Sequence, residues 1–166
     1  MQFKTGDYVV HPTHGVGNIV RLEQRRLVGD ETRLYYVIVA DKSTVWVPVD
    51  TDQAARLRPV TPRRDLDRYR RMLKGDPITL QKDHVKRRTE ILERLKQGSF
   101  EAMCALVRDL TARARLKPLS EAEMALLQKL RLDLCREWAV VDDVPVEEAI
   151  REVDALLSAD RPKPAV

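Results

Sequence analysis

The sequence is poor in the features on which secreted and membrane proteins depend. Only two of its 166 residues are cysteines, Cys104 and Cys135, and both fall on the apolar stripes of predicted helices. A disulfide framework is therefore not implied, and two such thiols are typical of a reduced cytosolic protein. No apolar run approaches the length that crosses a bilayer, and the first residues lack the layout of a signal peptide. We predict a cytoplasmic protein without a membrane segment.

Aromatic residues and glycines are also scarce. Aromatics make up 5% of the chain, so its cores depend mainly on Leu, Val, Ile and Ala. Gly15 and Gly17 stand on either side of one β-branched residue, but a dinucleotide-binding fingerprint also requires a third glycine and a following helix. Neither is present, so the two glycines predict a sharp corner or positive φ in a β structure.

Candidate catalytic and metal-ligating residues are few. His11 and His14 have the spacing H-x-x-H, but on a strand end or loop this spacing gives no common face. No cysteine or carboxylate cluster nearby completes a metal site, and no set of nucleophile, base and orienting group can be assembled. We predict turn histidines and no enzyme, metal or cofactor. An enzyme using the two histidines is the alternative, which stoichiometric zinc would revive.

Positive charge is concentrated in the middle of the chain. Residues 61–96 carry 12 lysines and arginines against 6 aspartates and glutamates. The same counts are 8 against 7 for residues 1–60 and 10 against 13 for residues 97–166. An anionic partner is therefore expected to contact the middle segment.

Residues 1–60 predict a small β domain. Short runs rich in Val, Ile and Tyr are separated by Gly and Asp turns, which is typical of a small barrel or meander. A barrel of about this size is SH3-like or Tudor-like. The predicted strands lie at Tyr8–Val10, Gly15–Glu23, Leu34–Val39 and Thr44–Val49.

From residue 61 the apolar residues recur at helical spacing, which predicts an all-α bundle over residues 61–160 and a flexible tail over residues 161–166. Thr61 and Pro62 are read as the start of the first helix, and Ser120 and Glu123 as a capping box on the longest. About five helices are expected. The first ends before Gly75, the second runs from about Asp83 to before Gly98, and the third is capped by Ser99 and interrupted by Pro118. The fourth opens at Ser120, and the last begins at about Pro145. The fold class is therefore α+β, a small barrel followed by a helical bundle.

The second predicted helix begins with an unusual basic cluster. Its first turns hold Lys82, His84, Lys86, Arg87 and Arg88. Cations oppose the helix dipole there, at a cost of about 0.3–1 kcal/mol each when exposed. The same end offers free backbone N–H groups that favour phosphate. The cluster predicts contact with a phosphate backbone, and the alternative is a solvated face with Arg88 paired to Glu90 or Glu93. The same helix also carries the apolar residues Val85, Ile91, Leu92 and Leu95.

The opening segment carries a recognisable pattern: Phe3, Gly6-Asp7, Val9-Val10-His11-Pro12 and His14-Gly15-Val16-Gly17. This pattern resembles the start of the CarD/CdnL family of bacterial transcription regulators. It also occurs in the polymerase-binding module of transcription-repair coupling factor, but here a β domain and about five helices follow it. The resemblance continues through Val47-Pro48-Val49, the basic segment from Lys82 to Arg88, and Val107-Arg108-Asp109-Leu110.

The resemblance implies a function in transcription. A Tudor-like domain over residues 1–60 would dock on the β subunit of RNA polymerase, and the helical domain would contact promoter DNA at the upstream edge of the melted bubble. Such a protein stabilises the open complex without catalysis, because it binds that state better than another. We expect a nucleoid-associated monomer whose DNA contacts are mostly independent of sequence.

The resemblance also implies site residues. It assigns polymerase contacts to Arg25 and Trp46, and it assigns DNA contacts to the basic segment, namely Lys82, His84, Lys86, Arg87 and Arg88. Family members commonly have a tryptophan at the position of His84, where it wedges into the minor groove. Imidazole offers less stacking area. A polymerase-docking adaptor without an effective DNA wedge is therefore the alternative. Trp138 does not replace the wedge, since it lies on an apolar helical stripe.

The environment of Trp46 is left open by its sequence. The alternation of Val45, Trp46 and Val47 places the indole on the opposite face of its strand from both valines. Either the indole or the valines face solvent. An exposed tryptophan would anchor an interface, whereas a buried one would belong to the core of the barrel.

Overall fold

The computed structural model describes residues 2–26, 29 and 31–159. The chain divides into two compact units between Val60 and Thr61, where the sequence changes from β to helical patterning. The tail predicted for residues 161–166 lies outside the described residues. Among the helices of the described part, none combines the length and the apolar character that crossing a membrane requires.

The elements of the first unit are β1 (Tyr8–His11), β2 (Gly15–Arg25), β3 (Arg33–Ala40), β4 (Ser43–Pro48), α1 (Asp52–Ala55) and β5 (Arg58–Pro59). The five strands form an antiparallel sheet with the order β4-β3-β2-β1-β5. The strands β1 to β4 follow one another as neighbours, and β5 returns to pair with β1. A short helix, α1, connects β4 to β5. The architecture confirms the Tudor-like β domain predicted from the sequence.

The corner between β1 and β2 explains the two glycines of the opening segment. Gly15 has φ +74°, a conformation that side chains other than glycine rarely adopt. At Gly17 a Cβ atom would lie 2.6 Å from Cγ2 of Ile38 and 2.9 Å from the carbonyl oxygen of Val39. Gly15 therefore shapes the turn, and Gly17 lets β2 approach β3 closely.

His11 stabilises the same corner through its side chain. Its Nδ1 atom accepts hydrogen bonds from the backbone N–H groups of Thr13, at 3.1 Å, and His14, at 3.2 Å. Burial and the neighbouring charge of His14 lower the pKa of His11. This geometry gives His11 the turn role predicted for it.

Over residues 61–159 the second unit contains five α-helices, as predicted, preceded by a short 3-10 turn at Arg63–Asp65. The first begins at Leu66 rather than at Pro62, because the Pro62 backbone is extended. Thr61 does not cap it; its N–H donates to Glu137 Oε1 at 3.0 Å. The helices are α2 (Leu66–Lys74), α3 (His84–Lys96), α4 (Phe100–Leu116), α5 (Glu121–Asp142) and α6 (Val146–Ser158).

The core of the helical unit is centred on Trp138, which is fully buried on α5. Phe100 lies between the rings of Trp138 and Tyr69, with centroid distances of 6.2 Å and 4.9 Å. Cys104 and Cys135 are buried free thiols, as their apolar stripes predict. Burial raises the pKa of both, that of Cys135 to about 11.

Candidate functional site

The start of α3 presents positive charge to solvent. Asp83 caps the helix by accepting a hydrogen bond from the backbone N–H of Lys86 at 2.9 Å, and the first turn contains no acidic residue. The exposed basic residues here are called the basic tip: Lys82, His84, Lys86 and Arg88. Within the described residues, neither Lys82, Lys86 nor Arg88 has a side-chain ion pair. The alternative pairing of Arg88 with Glu90 or Glu93 is therefore not formed, and Glu90 instead accepts from the Gln81 backbone at 3.0 Å.

Arg87 is the exception among the predicted DNA-contacting residues, because it lies inside the fold with only 6% of its surface exposed. Its Nε atom donates to Glu123 Oε1 at 2.5 Å. One terminal nitrogen donates to the carbonyl oxygens of Gln81 and Lys82, at 3.1 and 3.0 Å, and the other lies 3.4 Å from Nδ1 of His84. This placement corrects the grouping of Arg87 with the surface cations, since its donors are directed at protein groups.

Glu123 connects the tip to α5. Its second carboxylate oxygen accepts from the Ser120 backbone N–H at 3.0 Å, which completes the predicted capping box. Burial alone would raise the pKa of this carboxyl, but hydrogen bonds from Arg87 and Ser120 and the charge of Arg87 lower it below its ordinary value. Sequence reasoning found the capping box and missed the ion pair. The two partners are 36 residues apart, and no local pattern joins them.

The segment before α3 is held by a second buried carboxylate, that of Asp109 on α4. Asp109 Oδ1 accepts from the Ile78 backbone N–H and from Arg108 Nε, each at 2.9 Å. Its Oδ2 accepts from Arg94 on α3 at 2.5 Å. The Asp109 side chain is fully buried. It therefore fixes both the loop that leads to the tip and the helix that follows it. The resemblance included Arg108 and Asp109, but sequence reasoning gave them no role.

The remaining surface of α3 is partly apolar. Ile91 is buried, whereas Val85 is 70% exposed and Leu92 is 50% exposed. Arg87 and Ile91, one helical turn apart, form the inward face, so Val85 and Leu92 fall on the opposite side. A shallow groove lies at Leu92, and its lining residues are Thr89, Leu92, Glu93, Leu95 and Lys96.

In the β unit, a bulge directs a row of charged side chains away from the core. The register between β2 and β3 shifts between Ile19 and Arg21, so Val20 is an extra residue in β2. Ile19 on one side of the bulge is buried in the core, while Arg21 on the other side pairs with Val37. An inserted residue exchanges the two faces of a strand. Arg21, Glu23 and Arg25 consequently share the outer face of the sheet.

Trp46 lies on this outer face as well. Val45 and Val47 pack in or against the core, and Trp46 pairs with Val37 on the other side. The Arg25 guanidinium stacks over the indole ring, 5.0 Å from its centroid, and Arg25 Nε lies 3.5 Å from Glu23 Oε1. The structure therefore brings together the two residues predicted to contact polymerase. The face defined by Arg21, Glu23, Arg25 and Trp46 is called the docking face.

Glu23 is the electrostatic centre of the docking face. Desolvation would raise the pKa of its carboxyl, but the hydrogen bond from Arg21, the indole N–H of Trp46, and the charges of Arg21 and Arg25 lower it. The Trp46 N–H is buried and reaches no acceptor with full hydrogen-bond geometry among the described residues. Glu23 thus carries a negative charge that pairs with both Arg21 and Arg25, and Arg25 lies over the indole.

The docking face continues into an exposed apolar surface that sequence reasoning missed. Tyr8 is 46% exposed, Val39 is 40% exposed and the bulge residue Val20 is 39% exposed. Tyr8 and Val39 both pair with Asn18, and Val39 lies two residues from Val37, the cross-strand partner of Trp46. Alternation along β3 places Val39 on the outer face. From the sequence, this alternation could have shown that Val37 and Val39 share one face of β3. It could not have shown which face of the sheet is the outer one.

Metal-ligating side chains do not cluster in the described part of the chain. There, no three His, Cys, Asp or Glu side chains come together in a way that could hold a metal ion. The rings of His11 and His14 stack at a centroid distance of 4.8 Å, and the Nδ1 atom of His11 is occupied by two backbone donors.

Comparison with known proteins matches both units. A family model described as the CarD-like/TRCF RID domain matches residues 3–61, and one described as the CarD C-terminal domain matches residues 69–154. A proposed transcription factor of Bacillus subtilis (strain 168), YdeB, is 28% identical over 147 residues. That alignment covers 86% of this chain and 94% of YdeB. The docking face lies within the first family match and the basic tip within the second.

Proposed function

Because this chain belongs to the CarD-like family, we propose that it is a transcription regulator that docks on the β subunit of RNA polymerase and contacts promoter DNA at the upstream edge of the melted bubble. The observation that carries the DNA contact is the basic tip. Three exposed cations occupy the helix end where they oppose the dipole, and none of them has an ion pair with a residue that the structure describes. Their interaction with the helix dipole does not stabilise the isolated fold, whereas a bound phosphate backbone would interact favourably with all three cations.

The docking face supports the polymerase contact. Tryptophan and arginine are the residues most often responsible for binding energy at protein interfaces. Here Arg25 already lies over the Trp46 ring, and Glu23 holds its guanidinium in place. Little side-chain freedom would be lost when the pair is buried by a partner. The exposed Tyr8, Val20 and Val39 extend the surface that such a partner would cover.

The mechanism requires binding alone. If the protein holds polymerase through one unit and DNA through the other only when the bubble is open, it shifts the population toward the open complex. Every 1.4 kcal/mol of differential binding changes that equilibrium about tenfold. A few phosphate contacts at the basic tip are therefore sufficient for a large effect, and no bond is made or broken.

A first test reverses the charge of the basic tip. In the triple variant Lys82→Glu, Lys86→Glu, Arg88→Glu, we expect the slope of log affinity against log salt for bubble DNA to become shallower by about three, since each phosphate contact contributes about one. The lifetime of the open complex with the polymerase of the same organism should shorten.

The matched control reverses three exposed cations at the ends of other helices, Arg71, Lys74 and Lys117, and changes the net charge equally. Equal weakening by both variants would show a general charge effect and contradict a contact at the tip. An unchanged open-complex lifetime in the tip variant would favour the second candidate, a polymerase-docking adaptor. That candidate is favoured by one observation, the exposed His84 at the position where the family commonly has a tryptophan.

A second test concerns the docking face. Trp46→Ala is expected to weaken association with polymerase by at least about 30-fold, the effect of losing an interface anchor worth about 2 kcal/mol. Arg25→Glu should weaken it comparably, because it removes the stacked guanidinium and repels Glu23. Association rates and affinities of the full chain can be measured on immobilised polymerase. Arg56→Glu, at an exposed position after α1, serves as the control. If Arg25→Glu had no more effect than Arg56→Glu, polymerase would not bind at this face.

A further inference from the structure

The contact between Arg87 and His84 fixes the chemical form of the exposed imidazole. A terminal nitrogen of Arg87 lies 3.4 Å from His84 Nδ1. Guanidinium nitrogens are protonated donors and have no acceptor site. His84 Nδ1 is therefore the acceptor, and in a neutral imidazole the proton then resides on Nε2.

The position of the Arg87 guanidinium is fixed by other contacts and does not depend on His84. It is buried, its Nε atom is paired with the equally buried Glu123, and its NH1 atom is bonded to two backbone carbonyls. His84, by contrast, is exposed at the first position of α3. The fold therefore sets the orientation of the imidazole, and Nε2–H is the part of the ring that Arg87 does not occupy.

We propose that Arg87 is a positioning residue that selects the Nε2–H form of His84, so that His84 acts at DNA as a hydrogen-bond donor instead of an apolar wedge. This inference rests on the proposed function and refines the basic tip. In this proposal Arg87 does not contact DNA itself but acts through His84. Glu123 contributes by holding the Arg87 guanidinium in place.

A donor at this position has a consequence for base preference. In the minor groove both A·T orientations present only acceptors, whereas a G·C pair adds the exocyclic amino group of guanine, which is a donor. An Nε2–H group is therefore compatible with A·T pairs and opposed by the guanine amino group. One such hydrogen bond corresponds to a preference of about three- to tenfold. Inosine lacks that amino group, so replacing guanine by inosine should restore binding.

The test has one arm without DNA and one with it. In the first, nitrogen-15 NMR of the full chain at about pH 8 reports which imidazole nitrogen carries the proton. We expect His84 to be in the Nε2–H form alone in the wild type and to become a mixture in Arg87→Lys, whose single ammonium cannot reach all four acceptors. Arg88→Lys, the exposed neighbour, should change nothing. A mixture of tautomers already in the wild type would overturn the proposal.

The second arm measures binding to bubble DNA with guanine or inosine at the pairs flanking the upstream edge. Inosine should strengthen binding of the wild type about three- to tenfold, and His84→Ala should abolish this dependence. Wild-type binding that does not respond to inosine would overturn the donor role while the proposed function stands. If the wild type bound no bubble DNA at all, both the donor role of His84 and the proposed DNA contact would be wrong. The NMR arm, which contains no DNA, would still report whether Arg87 selects the tautomer of His84.

A second variant guards against loss of folding. Arg87→Lys leaves part of a buried network unsatisfied, whereas Arg87→Met combined with Glu123→Met removes both charges and leaves neither unpaired. Circular dichroism of the full chain checks the fold of each variant. The double variant should show the mixture of tautomers expected for Arg87→Lys, and its DNA binding should depend less on inosine than that of the wild type. If it kept the wild-type form of His84, Arg87 would not be its positioning residue.

Discussion

Glu123→Ala is expected to destabilise the helical unit by about 3–5 kcal/mol, the cost of removing one partner of a buried ion pair. Arg87 would be left buried with its charge unpaired, because its side chain is 7% exposed and that of Glu123 is 9% exposed. The capping box of α5 would be lost in the same step. Since domains are typically stable by only 5–15 kcal/mol, a large part of the folding free energy depends on this residue.

Urea denaturation of the full chain can measure this loss. The protein has two tryptophans, so in a Trp46→Phe background the buried Trp138 reports on the helical unit alone. Glu101→Ala is the matched control, because Glu101 also lies in the first turn of a helix but forms an exposed ion pair with Arg68 at 3.7 Å. It should cost about 1 kcal/mol or less. Equal losses in the two variants would contradict a special role of Glu123.

The pH dependence of the same pair has a definite sign. The folded protein lowers the pKa of Glu123 below its ordinary value of 4.5. The stabilisation is then complete above that pH and is lost as the pH falls through the folded-state pKa. The difference in unfolding free energy between the wild type and Glu123→Gln should therefore shrink in acid. A difference that stayed constant between neutral and strongly acidic pH would show that the carboxylate charge is not what stabilises the pair.

Asp109→Asn is the second substitution with a large expected effect, also about 3–5 kcal/mol. The shape of the side chain is kept, and Oδ1 can still accept from the Ile78 backbone and from Arg108. The amide nitrogen, however, would face the Arg94 guanidinium with a donor in place of an acceptor. Because the loop before α3 is fixed by this carboxylate, hydrogen exchange at the Ile78 amide should also accelerate.

Asp133→Asn provides the control for Asp109. Asp133 pairs with Lys129 one turn away on α5, at 2.7 Å, and the lysine is largely exposed. Such a pair contributes about 0.3–0.5 kcal/mol. The two aspartates therefore differ in burial and in number of donors while the substitution is identical. An effect of Asp109→Asn no greater than that of Asp133→Asn would mean that water replaces the carboxylate at little cost.

Much of the fold could be predicted because its signals are local. The run rich in Val, Ile and Tyr in β3, the capping box at Ser120 and the turn at Gly15 each depend on residues a few positions apart. The start of α2 was predicted too early for the same reason: Thr61 and Pro62 form a plausible local cap, but Thr61 hydrogen-bonds to Glu137, 76 residues away. At this position the tertiary hydrogen bond to Glu137 outweighed the local preference of Thr61 and Pro62 for a helix start.

The candidate site was predictable in location and only partly in composition. The basic segment could be found from its charge, and the pairing of Arg25 with Trp46 is consistent with the contacts that the resemblance implies. Which cations are free could not be found, because Arg87 and Arg88 are adjacent and equivalent in sequence. Only the position of Glu123 on another helix distinguishes them. The exposure of Val85 and Leu92 likewise follows from the side on which α3 packs.

The sequence by itself determined the family, the division into a β unit and a helical unit, and the basic start of α3, because composition, periodicity and short motifs are local properties. Only the tertiary structure decided that Trp46 lies on the outer face of the sheet and that Arg87, not Arg88, is buried. These choices depend on partners brought together only by folding. A one-residue bulge at Val20 sets the outer face of β2, and one carboxylate on α5 converts Arg87 from a surface cation into a buried support.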